Sequence, residues 1–153
     1  MSLYFIYKSS PRHIVCELDG ETGKVVKEHN TEGITWPYGP IKGGIVAGHH
    51  DGKLLRFFHS TLDNEEGWKR RYYVGALLME PEPPFNVVKI SREPILIGSN
   101  EDDFSNDERR SIPHFKGKVV FPGGAVPIDG GWILSIGIND CACGLVKIKD
   151  LKL

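Results

Sequence analysis

The chain has 153 residues, 40% of them hydrophobic and 25% charged, with a formal net charge of −1. That length gives one soluble domain with a proper core. The balanced, scattered charge argues against a nucleic-acid backbone or an anionic membrane surface as partner. The apolar runs are too short to span a bilayer, and Met1 to Tyr7 lacks the length and cleavage pattern of a signal peptide, so a cytoplasmic location is expected.

Taken in order, nearly every apolar run is short, β-branched or aromatic, and bounded by turn residues. "LYFIYKS" (3–9), "HIVCELD" (13–19) and "KVVKEH" (24–29) read as three strands joined through "SPR" and "DGETG". "GIVAGHH" (44–50) and "KLLRFFHS" (53–60) flank Asp51-Gly52, the strongest hairpin signal present. "RRYYVGALLME" (70–80) and "NVVKISRE" (86–93) are separated by "PEPP", where proline cannot sit in a central ladder. "KVVFPGGAVP" (118–127), "GWILSIGIND" (131–140) and "CGLVKIKD" (143–150) complete the set. The segments "STLDNEEGWKRR" and "NEDDFSNDERRS" are polar throughout and carry no helical stripe, so they read as loops. The expected class is all-β.

Grouped by turns, the strands fall as three, four and three, with a weak repeat between "GIVAGHHDGKLLRFF" and "GAVPIDGGWILSI". Meandering four-stranded sheets are the blades of a β-propeller, at about 40–50 residues each. The chain therefore reads as one domain, 1–153, holding part of a ring. Residues 1–30 form a partial first blade, 44–93 a central blade and 118–150 a partial last blade. A two-sheet sandwich built from the same strands is the alternative.

Cys16, Cys141 and Cys143 make an odd set, which argues against a disulfide framework. The C-x-C spacing lacks the knuckle of a structural zinc site, so reduced thiols and no metal are expected, with His49 and His50 solvated beside their turn. The Gly pairs at 43–44 and 123–124 precede no helix and are no phosphate cradle. They suit close backbone approach.

The strings "WPYGPIKGG", "LLRFFHS", "YYVGALLMEPEPPFNVVKISREPIL" and "KVVFPGGAVPIDGGWILSIGIND" follow an order that resembles glycoside hydrolase family 130, the five-bladed propellers that cleave or phosphorolyse β-mannosides. The resemblance covers about residues 35–148. It implies that His59 lines the central site and contacts substrate or phosphate. It implies that Lys42 stands where relatives carry Arg, keeping the charge without the bidentate fork. It also implies that Asp140 lies close to the pocket, with Tyr73 pointing into the same channel. Ile45 replaces the family's Thr, and nothing before residue 30 resembles the blades that carry the general acid.

The residues themselves support part of this. Alternation puts Phe57 and His59 on one face of their strand and Phe58 and Ser60 on the other. Trp36, Trp68 and Trp132 have faces suited to pyranose rings, Trp36 in its loop being the better platform and Trp132 suiting packing between blades. An inverting glycosidase needs two carboxyls about 6.5–9.5 Å apart. Only Asp140 ends an apolar strand within a motif, and the same residue reads equally as a turn former. The expected site is thus Asp140 and His59 as catalytic groups with Lys42, Tyr73 and Trp36 binding substrate. No cofactor is expected beyond inorganic phosphate as a co-substrate.

Three functions follow from this reading: a mannoside-acting hydrolase or phosphorylase, a non-catalytic glycan- or small-molecule-binding module, and a structural assembly unit. An incomplete ring exposes strand edges and blade faces, so a homo-oligomer, first of all a dimer, is expected.

Overall fold

The computed structural model describes residues 2–63, 70–99, 118–140 and 142–153. Within them the chain forms eleven strands, and no helix is long and apolar enough to cross a membrane. Strands β1 (Leu3–Lys8), β2 (Arg12–Leu18) and β3 (Val25–Glu32) make a first antiparallel sheet in the order β1-β2-β3. Strands β4 (Ile41–His50), β5 (Lys53–Asp63), β6 (Arg70–Met79) and β7 (Val87–Ile90) make the middle sheet, with the short β8 (Leu96–Ile97) paired to β6. Strands β9 (Val120–Ile128), β10 (Gly131–Ile138) and β11 (Ala142–Lys149) form a third sheet in the order β11-β10-β9.

Turn chemistry sets the hairpins. Asp51 and Gly52 both have positive φ, 50° and 73°, the pair of left-handed residues that a tight two-residue turn between twisted strands requires. Asn139 and Asp140 also have positive φ, at 51° and 57°, in the connection between β10 and β11. β8 escapes a reading by periodicity because two residues cannot display one. It is held by the Ile95 amide bonding the Val74 carbonyl and the Gly98 amide bonding that of Tyr72.

The middle sheet is covered on both sides. Leu55, Phe57, Val74, Ala76 and Leu78 pack against Val120, Trp132, Leu134, Ile136 and Ile148 of the third sheet. On the opposite face Phe58, Leu77 and Met79 meet Val15 of the first sheet, with Trp36, Ile41 and Phe85. Phe57 and Phe58 are adjacent in sequence, fully buried, and belong to different cores. Each contributes about 1.5–3 kcal/mol through burial. Three sheets layered side by side are a sector of a β-propeller, and the two-sheet sandwich is set aside.

Trp36 is the exception to its sequence reading. The indole is 5% exposed, its N–H donates to the Ser91 carbonyl at 2.7 Å, and its ring meets Phe58 edge-on. A Cβ on Gly75 would lie 2.9 Å from the indole, so this glycine opens the slot the ring fills. Trp36 is a core residue with no face left for a sugar. Trp132 is likewise buried between the middle and third sheets. Trp68 and Cys141 fall outside the described residues, as do 64–69 of the first polar segment and the whole of the second, within the undescribed stretch 100–117.

Candidate functional site

The β4–β5 pairing loses register between Ile41 and Gly44, leaving Lys42 and Gly43 as a bulge on the edge strand of the middle sheet. Bulges at sheet edges re-aim side chains. Here the Lys42 ammonium turns onto β5 and donates to the Thr61 hydroxyl at 2.7 Å. A Cβ on Gly43 would come 3.4 Å from His59 Cε1, so the bulge lies directly over the imidazole.

His59 is half-buried on the face of β5 that carries Phe57, as alternation requires. Tyr72 stacks on its ring at 5.9 Å between centroids and 18° between planes, and Phe121 of β9 flanks it at 6.4 Å. Burial lowers the His59 pKa below its ordinary value. The Gly43 backbone opposes that shift, while the charges of Lys42 and Arg56 reinforce it. The ring is therefore neutral at pH 7, able to donate one hydrogen bond and accept another.

Arg56 sits on the opposite face of β5 and is 4% exposed. Its guanidinium donates to the Ser9 hydroxyl and, at 3.1 Å, to the Lys42 carbonyl. Burial brings its pKa down to about 10, still charged at neutral pH. Among the described residues neither Arg56 nor Lys42 forms an ion pair. A buried cation with no carboxylate beside it fixes the bulge through a backbone carbonyl and leaves the local charge positive.

The remaining expected residues lie elsewhere. Tyr73 is on the other face of β6, opposite Ser60, with its ring 5.2 Å from Tyr38 and packed into the core beside the first sheet. The tyrosine beside His59 is Tyr72. Antiparallel partners share a face, and Tyr72 pairs with Thr61, two residues from His59. Strand register would have separated the two tyrosines, and the sequence alone leaves that register open.

Asp140 occupies the exposed β10–β11 turn at positive φ, so the turn-forming reading accounts for it. The buried polar residue of "GIND" is Asn139. Its side-chain oxygen accepts from the Val119 amide at 2.9 Å and its Nδ2 donates to the Ser99 carbonyl at 3.3 Å, tying the turn to two other segments. No cluster of three metal-ligating side chains occurs among the described residues, and Cys16 is a buried free thiol.

The arrangement at the β4 bulge is a cation, a neutral imidazole and a phenol ring beside an open edge. It can hold an anion and hydrogen-bond hydroxyl groups. It holds no carboxylate pair among the described residues and cannot by itself supply both the acid and the base of glycoside cleavage.

No protein-family model matches the chain, and no curated protein matches it. Among solved structures, β-1,2-mannobiose phosphorylase from Listeria innocua, in complex with β-1,2-mannobiose, is similar over 97% of this chain, with 21% identity and a TM-score of 0.61. A candidate glycoside hydrolase from Parabacteroides distasonis is similar over 95%, with 16% identity and a TM-score of 0.50. The chain spans 43% and 47% of those two proteins, less than half of each. At these identities the likeness establishes the fold alone, an all-β sector of a propeller.

Proposed function

We propose that this chain is the site-bearing sector of a carbohydrate-active propeller that takes mannoside-like ligands together with inorganic phosphate. The observation that carries the reading is the β4 bulge, where Gly43 lies against neutral His59 and the Lys42 ammonium, bonded to the Thr61 hydroxyl, has no ion pair among the described residues. Lys42 meets the anion as a point charge. His59 donates to or accepts from a sugar hydroxyl, with Tyr72 holding its ring plane. The general acid for bond cleavage is supplied from outside the described residues. A module that binds without turnover is the second reading, favoured by Asp140 lying in a solvent-exposed turn.

Calorimetric titration of the protein with β-1,2-mannobiose, with and without phosphate, tests the proposal. Saccharide binding that tightens with phosphate is expected, with His59→Ala and Lys42→Met each weakening it at least tenfold, about 1.4 kcal/mol. Release of mannose in the same mixtures separates the enzyme from the binding module. Failure of saccharide and phosphate to bind at millimolar concentration would sink both.

A further inference from the structure

Lys42 sits on an edge strand, where the β4–β5 pairing skips two residues and two glycines follow that add backbone freedom. Its backbone is held from the opposite face of β5. Arg56 Nη2 donates to the Lys42 carbonyl at 3.1 Å, and Nη1 donates to the Ser9 hydroxyl. Arg56 pairs with Leu77 across β5 and β6, so it lies on the face that meets Val15 of the first sheet. Ser9 belongs to the connection between β1 and β2 and is buried. Its own carbonyl accepts from the Ile34 amide at 3.3 Å, which fixes that connection in turn. One planar guanidinium therefore spans the junction of two sheets, with one N–H on the bulge and another on the first sheet.

We propose that Arg56 is a positioning residue that couples the first sheet to the site: the bulge keeps its shape only while that sheet is docked, and an anion held at the bulge tightens the docking. For its functional meaning this rests on the anion-binding reading given above. The physical cause is the cost of a buried cation. Arg56 has no ion pair among the described residues, so the Lys42 carbonyl and the Ser9 hydroxyl are what compensate its burial. Lifting the first sheet removes the Ser9 hydroxyl and lets water reach the guanidinium, which is then free to leave the Lys42 carbonyl. Coupling of this kind is reciprocal, so order imposed at the bulge passes back to the first sheet. Geometry rather than charge alone is required. Lysine at this position keeps the charge but lacks the planar fork that reaches two partners from one group.

Hydrogen exchange read by mass spectrometry tests this, with circular dichroism confirming that each variant keeps its strands. Peptides over 41–45 report the bulge, those over 9–14 report the β1–β2 connection, and those over β10 give the reference for overall stability. Ser9→Ala removes the far end of the bridge without altering β4 or β5. It is expected to speed exchange at the bulge about tenfold relative to β10. Arg56→Lys is expected to do the same. Millimolar phosphate is expected to slow both 41–45 and 9–14 in the parent, and 41–45 alone in Ser9→Ala. Bulge exchange that Ser9→Ala leaves unchanged, or speeds no more than in β10, overturns the proposal. So does an Arg56→Lys variant that behaves as the parent, since charge would then suffice. If phosphate alters no peptide while Ser9→Ala still loosens the bulge, the coupling stands and the anion-binding reading falls.

Discussion

His13 is fully buried on the face of β2 that meets the middle sheet, and neither ring nitrogen has a hydrogen-bond partner among the described residues. Burial lowers its pKa to about 4 and the Arg56 charge reinforces that. The Phe85 backbone pulls the other way without reaching hydrogen-bond geometry. The unfolded chain takes up this proton near the ordinary histidine pKa of about 6.5 while the folded protein does not until about pH 4. Stability is therefore complete above pH 6.5 and falls through the window between those values, by something of order 3 kcal/mol. Chemical denaturation between pH 7 and pH 4 checks it. His13→Phe is expected to fold and to lose most of the slope, leaving a smaller one from His59, whose pKa is shifted in the same direction. An unchanged slope in that variant would place the acid sensitivity elsewhere. At the same scale, Arg56 was invisible as a site contributor. A lone arginine in "LLRFFHS" gives no sign that its guanidinium will be buried against Ser9 and the Lys42 carbonyl.

The strands themselves were largely legible because turn chemistry is local. Asp51-Gly52 marked its hairpin, and period-two alternation placed Phe57 with His59 and Phe58 with Ser60. What alternation could not supply was register between strands, so Tyr73 was expected where Tyr72 stands. Nor could it foresee a loop residue whose partner is remote in the chain. Trp36 bonds the carbonyl of Ser91, and only the folded sheet brings the two together. The glycine pairs divide in the same way. A Cβ on Gly44 would sit 2.0 Å from the Phe57 carbonyl oxygen, while one on Gly123 would sit 3.4 Å from the Ser135 hydroxyl. Gly44→Ala is expected to force β4 off β5 at a cost of about 1–3 kcal/mol, lowering the melting temperature by roughly 3–10 °C. Gly123→Ala is expected to melt close to the parent. Equal melting temperatures for the two would mean that the backbones approach no more closely at the bulge than elsewhere.

At the scale of the molecule, composition and strand grouping pointed to part of a ring, and three side-by-side sheets sharing two cores are that architecture. The residues expected around its opening divide along the middle sheet. Lys42 and His59 lie near one another at the β4 bulge, Lys42 bonded to Thr61 and His59 beneath Gly43, while Tyr73 and Trp36 are committed to the core on the other side and Asp140 serves a turn. Among the described residues that edge of β4 brings together a cation and a neutral imidazole with no carboxylate pair, so the proposed function stands on ligand binding at that bulge. Proton–carbon NMR of the labelled histidine rings, recorded while phosphate and β-1,2-mannobiose are added, tests this most directly. The account predicts saturable shifts in the His59 ring signals that vanish in Lys42→Met, with the signals of His13 and His49 unmoved. Saturable shifts confined to other histidines, with His59 silent, would contradict it.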